Sequence, residues 1–272
     1  MGSRLKPKRT AKVESGLSGS PRRPPAKATS AEQLLYFYGI TEKGVGRKVS
    51  AQGVDGLSSV EAIACDGLVC WISRVSRPEY GDRLPENMEN LEWLASASVR
   101  HQGVVGEIAA KYSILPTRFG TVFLSEASLA SHVRERKRSL RAALRRIAGT
   151  DEWGVKVFAV ISSGPELQAR SGTEYLRQKA SALERGSRRE LDPEIRSFAG
   201  ALARVAVDTA PGGKVSGGQR DLEWQASFLL PRSQQKQWRA VLDHFAARWQ
   251  KTRRIECTGP WPPYSFVSSN GI

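Results

Sequence analysis

The chain has 272 residues, a formal net charge of +15, 40% hydrophobic residues and 25% charged ones. That supply of apolar residues can fill one large core or two of ordinary size, and no run approaches the roughly 20 apolar residues that a membrane helix needs. Cys65, Cys70 and Cys257 are odd in number and lack metal-ligand spacing, which argues against a disulfide framework or a zinc site and fits small buried hydrophobes in a cytosolic protein.

In chain order, residues 1–31 are rich in Ser, Pro, Gly, Lys and Arg, and residues 1–30 hold eight Lys/Arg against one acid, Glu14. So little apolar surface cannot offset the entropy of ordering, and a disordered basic tail is expected. Arg22-Arg23 is followed at once by Pro24-Pro25, and residues 34–40 are too short for an apolar export segment, so no leader is expected. Those same residues, aromatic and apolar, predict a buried strand, and a Gly-rich loop follows over 41–56. Residues 60–64 and 68–75 flank Asp66-Gly67 and predict a two-residue hairpin, because Gly accepts the positive φ of a tight turn. Residues 86–111 read as one helix with Leu91, Leu94, Val105, Ile108 and Tyr112 on its core face. Pro116 and Gly120 make 112–124 an extended, bent segment.

Ser125 can cap the next helix, which carries a core stripe of Leu129, Val133, Leu140, Leu144 and Ile147 and stops near Gly149. Arg134, Arg138, Arg141 and Arg145 share another face. Beyond it come a strand over 153–161, a helical region over 173–200 broken near Pro193, and a strand or helix end over 203–208. A loop over 211–218, a strand over 222–230, a helix over 234–250 and a strand over 253–257 complete the chain. The reading is α+β with two domains. Residues 32–149 form a mixed sheet-and-helix domain, and 150–272 form a ferredoxin-like βαββαβ domain with a Pro-rich end.

Residue types that carry catalysis are sparse. Gly39 to Gly44 has the spacing of a phosphate loop, but Val45 stands where Lys is needed. Gly44-Val45-Gly46 opens a dinucleotide fingerprint that fails at Val49. His101, His132 and His244 lie far from one another and from Cys, and no Gly-x-Ser-x-Gly elbow is present. Neither catalytic, metal nor cofactor residues are therefore assigned. The alternative reading is a basic nucleic-acid-binding protein using its ferredoxin-like domain, with Arg118-Phe119-Gly120-Thr121-Val122-Phe123 the segment nearest to an RNA-recognition strand. It departs from that motif and lies outside the ferredoxin-like half.

Seven segments, in order, resemble the gas vesicle GvpL/GvpF family. They are Tyr36-Phe37-Tyr38-Gly39-Ile40, Gly53-Val54-Asp55-Gly56, Asn90-Leu91-Glu92-Trp93-Leu94 with His101 shortly after, Leu115 to Phe123, Glu152 to Val157, Ser171 to Lys179, and Gly259 to Val267. The resemblance covers roughly 34–267. It implies a two-domain, non-enzymatic accessory protein of the cytoplasm, associated with gas vesicles, that needs no cofactor. The implied partners are the apolar major shell protein and other accessory proteins, with no membrane. Arg118, Phe119, Gly120, Trp261 and Tyr264 are candidate partner-binding residues, since they join aromatics to backbone that resists regular pairing. The preferred reading of the same segments is packing, with Phe119 in the core and the Pro-rich end as a rigid strap closing the sheet.

Overall fold

The structure is a computed structural model that describes residues 32–160, 191–212 and 221–267. The expected tail, most of the expected 173–200 helix and the 213–218 loop lie outside the described residues. What is described is a mixed α+β fold built on two antiparallel sheets.

The first sheet contains β1 (Gln33–Thr41), β2 (Val60–Cys65), β3 (Leu68–Ser76), β4 (Leu115–Pro116) and β5 (Val122–Phe123). Its order is β2-β3-β1-β4, with β5 also paired to β1. The β2–β3 turn forms as the Asp-Gly pair dictates, with φ of 51° at Asp66 and 79° at Gly67. Side chains of β1 alternate between two cores. Leu34, Tyr36 and Tyr38 face one side, and Leu35, Phe37 and Ile40 face the other. The alternation shifts by one residue at a bulge between Phe37 and Gly39. Gly39 has φ of 154°, and a Cβ there would stand 2.4 Å from the Leu115 carbonyl oxygen. Glycine thus lets β4 close on β1.

Each face of this sheet is covered by a helix. The expected single helix over 86–111 is instead two, α1 (Leu84–Glu89) and α2 (Leu91–Ala109). The break is at Asn90, whose extended backbone carries a side chain that accepts from the Glu92 and Trp93 N–H groups. This new start resets the helical phase. The inward face becomes Ala97, His101, Val104, Val105 and Ile108, while Leu91, expected in the core, is 80% exposed. On the opposite face lies α3 (Glu126–Ile147), whose buried residues are the expected Leu129, Val133, Leu140, Leu144 and Ile147. Ser125 and Ser128 cap it reciprocally, an arrangement that stabilises a helix start by about 1 kcal/mol. Gly149, φ 70°, follows its end.

The second sheet contains β6 (Thr150–Ala159), β7 (Asp208–Pro211), β8 (Leu222–Pro231) and β9 (Arg253–Trp261), in the order β7-β8-β6-β9. The last strand is longer than expected and runs on to Trp261. One face packs on α4 (Pro193–Ala203) and α5 (Gln235–Trp249) through Phe198, Leu202, Trp238, Phe245 and Trp249. Asp192 caps α4, with Pro193 in its first turn. Arg253, 13% exposed, ties this layer together by meeting Asp192 at 2.9 Å, Glu194 at 3.1 Å and Glu223 at 2.7 Å. The other face meets the end of α3, since Leu229 and Phe266 belong to the core that contains Ile147. Arg146 of α3 reinforces the junction, donating to the Phe266 carbonyl and pairing with Asp208 at 3.5 Å.

Candidate partner-docking site

The five residues singled out in the sequence divide into an inward and an outward set. Arg118 is exposed, and its carbonyl accepts from Thr121 Oγ1 at 2.7 Å, closing a tight turn. Gly120 sits in that turn with φ of 82°, and its N–H donates to Tyr36 Oη at 3.0 Å. Phe119 is half-buried, edge-on to Tyr36, Trp93 and His101. Tyr264 comes from the far end of the chain to the same place, where its hydroxyl bonds His101 Nε2 at 3.0 Å. Trp261, at the end of β9, is 52% exposed.

Phe119 and Tyr264 therefore converge on His101, and Gly120 joins them through Tyr36. The Nδ1 of His101 bonds Tyr36 Oη at 3.0 Å, so both ring nitrogens are used. A neutral imidazole carries one N–H and one lone pair, and it serves both phenols at once. Burial disfavours the charged ring and lowers its pKa from 6.5 to about 4. Burial likewise pushes the Tyr36 and Tyr264 phenols well above their ordinary range. Tyr38, pushed up to about 12, accepts from Val54 N–H at 2.8 Å and bonds Ser73 Oγ at 2.7 Å. The network is a satisfied polar seam between α2, the first sheet and the C-terminal segment. It positions a helix and a chain end; nothing in it is aimed at solvent. From the sequence His101 reads as an ordinary helix residue. The seven-residue run of Leu34 to Ile40, with two phenols on one face, is the signal that a buried partner is needed.

A second feature escaped the sequence reading. The outer face of α2 carries a row of small and apolar residues: Leu91 is 80% and Val99 72% exposed, Ala95 is exposed between them, and Gly103 continues the row, with Glu92, Ser96 and Gln102 exposed beside it. Gly103 and Gly106 have open space where a Cβ would stand. Met88, at the end of α1, is 43% exposed. The helix has charged residues at Glu92, Arg100 and Glu107, but two are drawn aside. Arg100 donates to the Val54 carbonyl at 2.6 Å, and Glu107 accepts from Ser50 and Ala51 N–H at 2.9 Å. A solvent-facing helix surface is ordinarily polar, so this row is a candidate contact surface. Among the described residues, no group of three His, Cys, Asp or Glu side chains is placed to hold a metal, and no helix is long and apolar enough to cross a membrane.

Comparison with known proteins fits the architecture. The chain is 28% identical over 255 residues to gas vesicle protein L of a Streptomyces species, covering 88% of this chain and 94% of that one. It is 24% identical over 237 residues to gas vesicle protein F2 of Halobacterium salinarum, covering 87% and 93% respectively. In fold it resembles the crystal structure of the gas vesicle protein GvpF from Anabaena sp., with TM-score 0.63, 20% identity and coverage of 87% of this chain and 96% of that one. GvpF from Microcystis aeruginosa gives TM-score 0.62, also at 20% identity, covering 86% and 99%. Residues 34–268 match the family described as gas vesicle synthesis protein GvpL/GvpF, and the chain belongs to that family.

Proposed function

We propose that this protein binds the apolar major shell subunit of the gas vesicle and keeps it competent for assembly, acting by binding and not by catalysis. The exposed apolar row on the outer side of α2, Leu91, Ala95 and Val99, is the observation that carries the proposal. Unassembled subunits of an apolar wall expose surface that aggregates, and burying it against an exposed apolar row on a charged, soluble carrier removes that hazard. Of the five residues picked from the sequence, Arg118 and Trp261 remain available at the surface. Phe119, Gly120 and Tyr264 serve docking indirectly, by fixing α2 from behind through His101. The protein then works in the cytoplasm at the vesicle, alongside other accessory proteins and without cofactor.

The proposal includes the finer architecture. Residues 32–149 and 150–272 are read as two units, the second ferredoxin-like. Counting its strands in chain order, the sheet runs second, third, first, fourth, and α4 and α5 share one face, which supports that reading.

Co-expression tests the binding role. With this protein present, the shell subunit should gain soluble yield and co-purify at high salt, because apolar contacts resist screening. Failure to co-purify at any salt, with normal vesicles in cells lacking the gene, would end the proposal. Metal analysis and a nucleotide-hydrolysis assay on purified protein address the non-catalytic part. Turnover that survives repurification would overturn it.

A further inference from the structure

We infer that the outer face of α3 is a second docking surface, built for an acidic protein segment that carries an aliphatic side chain. This does not depend on the shell-subunit proposal, since it concerns the opposite side of the first sheet. The helix bears seven cationic side chains. Arg134, Arg138, Arg141 and Arg145 are all exposed, and their spacing lines them along one face over roughly 16 Å. Their neighbours are neutralised: Arg136 meets Glu135 at 3.8 Å, Lys137 meets Asp66 at 3.1 Å, and Arg146 meets Asp208 at 3.5 Å. Among the described residues, Arg134, Arg138 and Arg145 form no ion pair, and Arg141 reaches only the Gly67 carbonyl at 3.4 Å. Like charges at helical spacing repel by a few tenths of a kcal/mol per pair. The fold thus retains a repulsive row that a carboxylate-rich partner would relieve, and each guanidinium fork matches a carboxylate in shape.

The row also leads somewhere. It rims an open groove of about 410 Å³. Arg145, at its end, rims a further cleft of about 270 Å³ together with Lys43, Tyr112 and Ala148, with Leu144 beneath. A basic track ending in a partly apolar hollow suits an acidic segment with one aliphatic anchor. Two observations favour carboxylates over a phosphate chain. Glu135 stands in the groove and Glu42 in the cleft, so evenly spaced phosphates would pass over both, whereas acidic side chains can be spaced to miss them. Moreover, the aromatic ring at hand, Tyr112, is half-buried and packed 6.0 Å from Trp71, a poor platform for a base.

Fluorescence anisotropy on the full chain tests this with a labelled peptide of Glu-Gly repeats ending in one leucine. Single-stranded DNA and phosphatidylserine vesicles serve as rival probes. The peptide should bind, and Arg134→Glu/Arg138→Glu/Arg145→Glu should weaken it by about ten-fold or more. The milder glutamine triple variant should weaken it in the same direction, and unchanged circular dichroism should show both variants folded. Lys236→Glu/Arg239→Glu/Lys251→Glu changes net charge equally on another surface and should alter binding by less than about two-fold. Replacing the peptide's leucine with glycine should cost a further few-fold. Equal losses in the two charge-reversal variants, no peptide binding, or tighter binding of the DNA or the vesicles through the α3 row would overturn the inference.

Discussion

Helices α2 and α3 cover opposite faces of one sheet, and they differ in both of their own faces. Toward the sheet, α3 presents five aliphatic residues, whereas α2 presents four small or aliphatic residues and His101. Toward solvent, α3 presents arginines and α2 presents Leu91, Ala95 and Val99. The inner difference follows from β1, whose α2 side carries the hydroxyls of Tyr36 and Tyr38 and so requires polar partners, while its α3 side carries Leu35, Phe37 and Ile40. The outer difference has no such cause. Folding needs neither an apolar row nor an arginine-lined exterior, which is why these two exteriors are the ones proposed to meet an apolar and an acidic partner.

Inner-face substitutions should show the largest effects on stability. His101→Ala removes a buried ring and leaves two phenols short of a partner, so chemical denaturation should reveal a loss of about 3–4 kcal/mol. The equivalent change in α3, Leu140→Ala, creates a cavity without orphaned polar atoms and should cost less, about 2–3 kcal/mol. If the two losses were equal, the polar seam would contribute nothing beyond its volume.

Acid should distinguish the two sides as well. His101 titrates near 4 in the folded protein against 6.5 ordinarily, so protons bind the unfolded chain more readily. Its contribution is complete above about pH 6.5 and falls as the pH drops toward 4, a loss of about 3 kcal/mol across that window. In His101→Leu, stability should be flatter over the same range. An unchanged slope in that variant would place the titration elsewhere.

Smaller effects probe how the chain end is fastened. Tyr264→Phe removes one hydrogen bond to His101 and keeps the ring, so unfolding should become easier by about 1 kcal/mol. Hydrogen exchange should rise in the 264–266 turn and at the N–H groups of α2. Outer-face changes should be nearly silent in stability. Leu91→Glu/Val99→Glu and Arg134→Glu/Arg138→Glu/Arg141→Glu should each stay within about 0.5 kcal/mol of the parent.

Local sequence signals carried much of this architecture. The Asp66-Gly67 hairpin, the Ser125 cap and the aliphatic stripe of α3 depend on neighbouring residues, and each stands where the residue types demand. The α2 faces were legible only in part: Val105 and Ile108 lie inward as expected, and two features hid the rest. A polar residue at the centre of the inner stripe, His101, masks the helical period, and Asn90 restarts the helix one residue before Leu91, turning an expected core residue outward. The two-residue strands β4 and β5 exist through their pairing with β1, which no local pattern announces. The candidate site was half legible. Phe119 and Tyr264 stand out in the sequence as candidate partner contacts, and the structure places their rings against His101, a contact spanning 163 residues in the case of Tyr264.

The central claim is that the α2 exterior, and not the α3 exterior, receives the shell subunit. Co-purification of the shell subunit from co-expressing cells, at high salt, measures it directly with three proteins side by side: the parent, Leu91→Glu/Val99→Glu and Arg134→Glu/Arg138→Glu/Arg141→Glu. The account predicts retention by the parent and the arginine variant, with a drop of about ten-fold or more for the α2 variant. Full retention by the α2 variant, or loss confined to the arginine variant, would contradict it.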